Sequence, residues 1–210
     1  MKPAITDGSI IYCDMDGVLV DFAAGAIALA NSIISGGDRQ DWVQQSKSMR
    51  RSLRDIRNKD ANFSVKTSKD LDIPEVRTLM FAAIGFNPGE FFSRLPPLDD
   101  GINILWPYLT SLPNKVVLLT APVGGRKGIE SMTAGEGKKL WAQEWLKPAP
   151  SDVIISHATK KPDFASAGDI AHILIDDKAS TIRTWNETGH GILHITGNSQ
   201  STITRLGELL

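Results

Sequence analysis

Two pairs of aspartates each follow a short apolar run of strand length. Asp14 and Asp16 come directly after Ile-Ile-Tyr-Cys, and Asp176 and Asp177 come directly after Ile-Leu-Ile. Carboxylates this close repel one another unless a cation or a proton relieves them. An isolated aspartate pair is often only a turn or a helix cap. Because both pairs follow apolar runs, we interpret them as parts of a site.

Thr120 gives a third polar position of the same kind, since it ends the run Val116–Leu119. In an open α/β sheet, ligands bind beyond the carboxyl ends of the strands. If the three runs are neighbouring strands, their polar end residues converge on one crevice. A site that offers only oxygen ligands favours a hard cation, and we expect Mg²⁺ with a phosphate as its companion ligand.

The elements that must position these residues are predicted from apolar runs and the stretches between them. Continuous apolar runs indicate strands that are covered on both faces of a parallel sheet. The predicted strands are Ser9–Cys13, Val116–Leu119, Val153–Ile155, Ile173–Ile175 and Ile192–Ile195. The predicted crossover helices are Asp99–Leu112, Glu136–Leu146 and Lys178–Thr188. This alternation predicts an α/β fold with a doubly wound, mostly parallel, Rossmann-like sheet.

One interval breaks the alternation, because it contains helical patterns and no convincing strand. The predicted helices there are Phe22–Ile34, Asp41–Lys59 and Pro74–Ile84. We therefore predict an α/β core formed by residues 1–20 and 99–210, with a helical cap, residues 21–98, inserted after the first strand.

Composition narrows the classes of function. The chain has 210 residues, a formal charge of −1 and one cysteine, Cys13. The charge gives no general attraction to polymeric nucleic acid or to an anionic membrane, and no apolar run is long enough to span one. A single cysteine excludes an intrachain disulfide framework. We expect a cytoplasmic protein with a small-molecule partner and leave homodimer formation open.

The ordered motifs resemble those of the haloacid dehalogenase-like phosphohydrolases. They are Asp14-x-Asp16-Gly17-Val18, then Thr120, a lysine, and Asp176-Asp177. Two longer segments are most similar to the 5′(3′)-deoxyribonucleotidases, namely Asp14-Met-Asp-Gly-Val-Leu-Val-Asp-Phe22 and Phe91-Phe-x-x-Leu-x-Pro-Leu98. The resemblance implies a Mg²⁺-dependent phosphomonoesterase that acts on (deoxy)nucleoside monophosphates through an aspartyl-phosphate intermediate. Two alternatives stay open: a phosphatase for another small phosphomonoester such as a sugar phosphate, and a non-catalytic phosphate-binding or regulatory module.

The resemblance also implies a role for each motif residue. Asp14 is expected to be the nucleophile and Asp16 the general acid and base. Mg²⁺ is expected to be held by Asp14, by the backbone carbonyl of Asp16 and by Asp176. Asp177 is expected to support these ligands without binding the metal itself. Thr120 is expected to hydrogen-bond a phosphoryl oxygen.

The phosphate-neutralising lysine has several candidates. Lys138 leads because it keeps the family's spacing to a following tryptophan, and Lys139 is its close rival. Lys160 and Lys161 are outside candidates for a second phosphate contact. A lone lysine is otherwise most often a solvated surface charge.

Three further positions bear on substrate recognition. The resemblance implies that Phe22 and Phe86 face the nucleotide base, where aromatic stacking contributes about 1–3 kcal/mol per base. Ala121 stands where the nucleotidases often carry a serine, so it removes one potential phosphate or sugar contact.

Two features of the sequence could be mistaken for ligand sites. Residues 123–138 are rich in glycine, but Lys139 and Met132 occupy positions where a P-loop needs Ser or Thr and its first Gly. We interpret this stretch as a mobile loop. Arg50, Arg54 and Arg57 share a helix face, which is either a solvated surface or a region that attracts nucleotides.

Overall fold

The computed structural model describes residues 3–37, 40–122 and 132–210, and the elements named here lie within those ranges. The strands are β1 (Ile11–Cys13), β2 (Val116–Thr120), β3 (Asp152–Ile155), β4 (Ser166–Ala167), β5 (Ile170–Ala171), β6 (Ile173–Asp176) and β7 (His190–Leu193). The α-helices are α1 (Phe22–Ile34), α2 (Gln40–Gln45), α3 (Lys47–Lys59), α4 (Pro74–Ile84), α5 (Pro88–Ser93), α6 (Trp106–Ser111), α7 (Ala134–Trp145), α8 (Ala179–Trp185) and α9 (Ser199–Gly207).

Five strands form one parallel sheet in the order β3-β2-β1-β6-β7. Every residue of β1, β2 and β6 is buried, as the continuous apolar runs predicted. The predicted α/β fold class is therefore confirmed. The last strand lies two residues earlier than predicted, because β7 pairs with β6 from His190 opposite Ile173 to Leu193 opposite Asp176.

The chain divides into two compact units, and each is described by itself. The first unit comprises Met1–Asp21, Pro97–Pro122 and Lys139–Leu210. It contains the parallel sheet and a cluster of buried side chains that pack on the sheet. Two aromatic rings lie in this cluster. Trp185 of α8 packs edge-on against Tyr12 of β1, with ring centroids 5.6 Å apart. The indole N–H of Trp185 donates to the carbonyl of His172 at 3.1 Å, which links α8 to the residue that precedes β6.

The second unit comprises Phe22–Pro96 and Val123–Lys138, so it includes residues that the sequence analysis had assigned to the core. Helices α1 and α4 have the predicted bounds. The predicted helix Asp41–Lys59 is two helices, because Ser46 caps the second of them. The hydroxyl oxygen of Ser46 accepts a hydrogen bond from the amide of Met49 at 3.4 Å.

Two local departures from the sequence predictions have visible causes. Helix α5 was not predicted, although Asn87 caps it and Pro88 occupies its first turn, which is a recognised start signal. The predicted helix Asp99–Leu112 includes a π-helical turn, Gly101–Leu105, and glycine fits at its first position because a side chain there would overlap the carbonyl of Val18. The segment Asp99–Leu112 is helical over most of its length, as predicted.

The interpretation of residues 123–138 as a loop is corrected in part. Residues 134–138 belong to α7, while residues 123–131 lie outside the described part of the chain. Among the helices of the described ranges, none combines the length and the apolar character needed to cross a membrane.

Candidate active site

The two aspartate pairs meet because their strands are neighbours. In the parallel register, Cys13 of β1 lies opposite Ile175 of β6. The amide of Asp14 donates to the carbonyl of Ile175 at 2.8 Å, which places Asp14 beside Asp176 at the carboxyl edge of the sheet. Both carboxylates are buried, at 8% and 1% exposure. The convergence expected from the sequence therefore occurs for these two residues.

Lys161 lies between these two carboxylates. Its Nζ is 2.9 Å from Oδ2 of Asp14 and 2.7 Å from Oδ2 of Asp176. Lys161 comes from the 3₁₀ segment Ala158–Phe164, which follows β3, and its side chain is 3% exposed. Burial alone would lower the pKa of this ammonium, but the charges of Asp14 and Asp176 outweigh it and raise the pKa above its ordinary value. Lys161 is thus a permanent cation in the cluster.

The other three candidate lysines differ in burial. Lys138, the leading candidate from sequence, belongs to the second unit, where it is fully buried with its Nζ 4.5 Å from the centre of the Phe92 ring. Lys139 is exposed, and Lys160 is exposed with a distant ion pair to Asp163 at 3.8 Å. Lys161 is the candidate whose contacts with Asp14 and Asp176 lie within the first unit.

Asp177 belongs to the same cluster of carboxylates. From the resemblance it is expected to support the metal ligands without binding the metal itself. One oxygen each from Asp14, Asp176 and Asp177 can be chosen so that all three lie within 4.8 Å of one another. Desolvation, followed by the charges of Asp14, Asp176 and Asp16, raises the pKa of Asp177 to about 6. Desolvation and the charge of Asp14 also raise the pKa of Asp176. The cluster therefore resists full ionisation without a further cation.

Gly17 allows Asp177 to approach the first motif. Its φ is +75°, in the left-handed region that glycine adopts without strain. A Cβ at this position would lie 2.7 Å from the carboxyl carbon of Asp177. Asp16, one residue earlier, is partly buried and forms a backbone bridge with Val20. The Asp14-x-Asp16-Gly17 turn is therefore folded tightly against Asp177.

The charges and the unsatisfied oxygen of this cluster fit a hard divalent cation. Asp14, Asp176 and Asp177 bring three carboxylates, and Lys161 balances only one of them. Oδ1 of Asp14 is buried without a hydrogen-bond partner among the described residues. Buried carboxylate oxygens without donors are unfavourable unless they coordinate a cation. Oxygen ligands of this kind suit Mg²⁺, which these residues could hold.

The positions of Thr120 and Ala121 are set by the carboxyl end of β2. Thr120 is fully buried and is the last residue of the strand that pairs with β1 on the side opposite β6. The register pairs Leu118 with Cys13, so Thr120 lies at the same carboxyl edge as Asp14. Ala121 is half-buried directly after it. The predicted position of both residues at this edge of the sheet is in accord with the strand register.

The thiol of Cys13 is not placed to act as a nucleophile. Burial, together with the neighbouring charge of Asp14, raises the pKa of its thiol. The thiol Sγ–H donates to the carbonyl of Asp14 at 3.2 Å. A protonated, buried thiol is a small apolar side chain in a strand.

The aromatic residues predicted to face a base belong to the second unit. Phe86 is 5% exposed, and its ring stacks on Trp42 with centroids 5.5 Å apart and planes 6° from parallel. Phe86 therefore supports Trp42, whose ring lines a cavity of the second unit, and its role toward a base stays a prediction. Phe22 packs edge-on against Phe91, with centroids 5.7 Å apart.

A cavity of about 620 Å³ lies within the second unit, between α1, α2 and α5. This volume is in the range of small-molecule sites. Mostly small residues of α1 line one side, and two aromatic rings, three charged side chains and two further apolar residues line the rest. The lining residues are Ala24, Gly25, Ala28, Leu29, Ser32, Asp41, Trp42, Glu90, Phe91, Arg94, Leu95 and Pro96. Sequence patterns gave no sign of this cavity, because it forms only when the three helices pack.

The three arginines of α3 have local partners. Arg57 donates to the carbonyl of Ile34 at 3.0 Å, Arg50 donates to the carbonyl of Gln44, and Arg54 lies 3.5 Å from a carboxylate oxygen of Asp55. These contacts favour the solvated helix face among the two interpretations of the sequence.

The fold is similar to that of solved hydrolases. A hydrolase from Streptococcus pneumoniae TIGR4 aligns with a TM-score of 0.51 and 9% identity over 95% of this chain and 100% of that chain. A HAD-superfamily hydrolase of subfamily IA from Geobacter sulfurreducens gives 0.47 and 13% over 99% and 100% of the two chains. A HAD-hydrolase from Bacillus subtilis bound to magnesium gives 0.46 and 16% over 87% and 84%.

At these identities, the similarity shows the α/β fold. No protein-family model matches the sequence, and no curated protein matches it at a significant level.

Proposed function

We propose that this protein is a Mg²⁺-dependent phosphomonoesterase that hydrolyses nucleoside monophosphates, with deoxyribonucleotides as preferred substrates. The observation that carries the proposal is the buried ammonium of Lys161 between Asp14 and Asp176, beside Asp177 and at the carboxyl edge of the sheet. The fold shared with solved hydrolases agrees with the proposal, although fold alone does not determine function.

In the proposed reaction, a carboxylate oxygen of Asp14 attacks phosphorus and the ester P–O bond breaks, which leaves an aspartyl-phosphate. Asp16 gives its proton to the departing alkoxide oxygen, so the alcohol leaves neutral. Asp16 then takes a proton from water as the water oxygen attacks phosphorus and the bond to Asp14 breaks. The products are the alcohol and inorganic phosphate, and both aspartates return to their initial states.

Charge neutralisation supports this chemistry. Mg²⁺, when held by Asp14, Asp176 and the backbone carbonyl of Asp16, offsets the charge that a phosphate brings to a cluster of carboxylates. Lys161 keeps Asp14 and Asp176 in fixed positions, because its Nζ contacts both. Thr120 hydrogen-bonds a phosphoryl oxygen in this proposal. Positioning and charge stabilisation, more than unusual bond chemistry, supply most of the rate enhancement.

The nucleotide preference has separate support. It rests on the resemblance of the segments Asp14–Phe22 and Phe91–Leu98 to the deoxyribonucleotidases. The same resemblance supports Phe22, Ala121, Lys138 and Lys139 as substrate contacts. We further propose a cytoplasmic location, for which the lone cysteine is the support, and a small molecule as the only class of substrate.

Phosphate release from a panel of nucleoside monophosphates and sugar phosphates, with Mg²⁺ or EDTA, tests the proposal. We expect release that depends on Mg²⁺ and is fastest with deoxyribonucleotides. Asp14→Asn should lower kcat at least about 1,000-fold, because the attacking group is lost. The exposed Asp163→Asn is the matched control and should keep wild-type activity.

Each alternative outcome has a distinct meaning. Equal rates on sugar phosphates and nucleotides would indicate a general small-molecule phosphatase. Tight phosphate binding without turnover would indicate a binding or regulatory module. Full activity in Asp14→Asn would contradict the aspartyl-phosphate mechanism itself.

A further inference from the structure

The turn that contains Gly17 is restrained from several sides. Its amide donates to the carbonyl of Val20 at 2.9 Å, and its carbonyl accepts a hydrogen bond from the hydroxyl of Thr196 at 2.7 Å. On a further side, the space that a Cβ would need is filled by the carboxylate of Asp177. Glycine has the widest backbone freedom of any residue, so a glycine that must keep one conformation depends on such outside contacts.

Thr196 is distant from this turn in sequence but is itself held in place. It lies in the loop that joins β7 to α9, and hydrogen bonds fix both ends of that loop. The amide of His194 donates to the carbonyl of Asp176 at 3.0 Å. The amide and hydroxyl of Ser199 donate to Oδ2 of Asp100 at 2.9 Å and 2.8 Å. The hydroxyl of Thr196 is therefore presented by an anchored loop.

The side chain of Asp16 depends on this restraint, because Asp16 directly precedes Gly17. Asp16 is only partly buried, whereas Asp14 and Asp176 are buried and contact Lys161. The backbone on the carboxyl side of Asp16 also contributes to the position of its carboxylate, because the Gly17 peptide follows it directly. A rotation of the Gly17 peptide would move the chain on that side of Asp16.

We propose that Thr196 is a positioning residue for Asp16, acting through the Gly17 carbonyl. The inference rests on the proposed function, in which Asp16 protonates the leaving-group oxygen. Loss of the Thr196 hydroxyl would free the Gly17 peptide and misplace the proton donor, while Asp14, Asp176 and Lys161 keep their contacts. The defect would fall on proton transfer to the leaving group and not on attack by Asp14.

Two aryl phosphates of similar shape separate these steps. p-Nitrophenolate leaves readily without a proton, whereas phenolate is a poorer leaving group and gains more from general-acid catalysis. The ratio kcat/KM reports phosphoryl transfer to Asp14 and is insensitive to the later hydrolysis step. We expect Thr196→Val to lower kcat/KM about 10-fold for phenyl phosphate and less than about 2-fold for p-nitrophenyl phosphate. Thr196→Ser keeps the hydroxyl and should stay within about 2-fold of wild type on both.

A structural measurement completes the test. Amide hydrogen exchange at Gly17, followed by NMR, should be at least about 5-fold faster in Thr196→Val and unchanged in Thr196→Ser, because opening of the turn exposes this amide. Unchanged exchange in Thr196→Val would overturn the inference. Equal losses on both phosphates would also overturn it, since a general structural defect would act on both. A wild-type protein that releases phosphate neither from these esters nor from nucleoside monophosphates would contradict the proposed function, and the role of Thr196 with it.

Discussion

The ammonium of Lys161 compensates two buried carboxylates that would otherwise face each other across neighbouring strands. Its Nζ lies within 2.9 Å of Asp14 and 2.7 Å of Asp176. Burying such a group is unfavourable in itself, but removing one partner of a buried ion pair costs more, because the remaining charges stay buried and uncompensated. Lys161 is therefore expected to matter for folding as well as for chemistry.

Lys161→Met should lower the free energy of unfolding by about 3–5 kcal/mol at pH 7 in EDTA, because Asp14 and Asp176 lose their shared cation. Urea denaturation followed by circular dichroism measures the change. Lys160→Met is the matched control: this neighbouring lysine is exposed and 3.8 Å from Asp163, so its loss should cost less than about 0.5 kcal/mol. Equal stability of the two variants would contradict the view that Lys161 neutralises the cluster.

At this scale the meeting of Asp14 and Asp176 could be predicted from sequence, whereas the ion pairs that Lys161 makes with them could not. Asp14 and Asp176 follow apolar strands, so the strand-end rule places them at one edge without knowledge of side-chain packing. Lys160 and Lys161 are adjacent in a short 3₁₀ segment, and only the direction of that turn decides which one is buried. Sequence spacing could not reveal that direction, and Lys138 as the phosphate-neutralising lysine stays a prediction.

Two glycines set how closely two segments of the second unit approach, one in α5 and one in the first turns of α7. A Cβ at Gly137 in α7 would overlap the backbone carbonyl of Gly89 in α5, and the amide of Gly89 donates to the carbonyl of Met132 at 2.8 Å. The glycine-rich sequence that precedes Lys138 therefore has a packing role at Gly137. This role depends on a partner 48 positions away in the chain (137 against 89), so local sequence patterns could not show it.

Gly137→Ala should lower the free energy of unfolding by about 1–3 kcal/mol, because the backbone atoms it would strike cannot move aside cheaply. Gly207→Ala provides the control in another helix: its Cβ would meet its nearest atom at 3.8 Å, and alanine is favoured over glycine in helices by about 0.5–1 kcal/mol. Thermal or urea unfolding of both variants tests the pair. A stabilising Gly137→Ala would contradict the close approach of α5 and α7.

His172 joins β1 to β6 only when its ring is neutral. Its Nδ1 accepts a hydrogen bond from the amide of Ile10 at 3.1 Å, and burial lowers its pKa below the ordinary value of 6.5. Below pH 6.5 the unfolded chain therefore binds a proton that the folded chain does not. Stability from this group is complete above pH 6.5 and is lost as the pH falls through the lowered pKa.

Urea denaturation at pH 7.5 and pH 5.5 should thus show a smaller loss of stability for His172→Gln than for wild type. Glutamine keeps an oxygen that can accept from Ile10 and has no proton to take up. The exposed His157→Gln should lose as much stability as wild type between these pH values. An identical loss in His172→Gln would contradict the neutral histidine at this junction.

At the scale of the whole molecule, the parallel α/β sheet was the most predictable property. Apolar runs separated by amphipathic stretches led to a parallel sheet, and strands β1, β2 and β6 carry the polar end residues at one edge as expected. Helix caps and packing were harder to predict, since Ser46 divides one predicted helix and the cavity between α1, α2 and α5 depends on three helices. An apolar run can be recognised from neighbouring residues in the sequence. A cavity or a buried ion pair depends on residues that are distant in the sequence and meet only in the fold.

A cation that binds the carboxylate cluster only in the folded state must stabilise the whole molecule. At a Mg²⁺ concentration 100 times its dissociation constant, linkage adds about 2.7 kcal/mol to the free energy of unfolding. For a chain of 210 residues this corresponds to a rise in Tm of roughly 5–10 °C over the value in EDTA. Differential scanning calorimetry with a Mg²⁺ titration measures it, without any assay of activity.

Asp176→Asn should remove most of this Mg²⁺-dependent rise, because it takes one carboxylate from the cluster while Asp14 keeps its contact with Lys161. Asp163→Asn, at an exposed position outside the cluster, should show the full wild-type rise. A Tm that does not change with Mg²⁺ in the wild type would show that Lys161 and protonation of Asp177 already satisfy the cluster. The same dependence in Asp176→Asn would place the metal elsewhere on the molecule. The titration therefore tests the metal site independently of the substrate, because the Tm reports the stability of the folded chain as a whole.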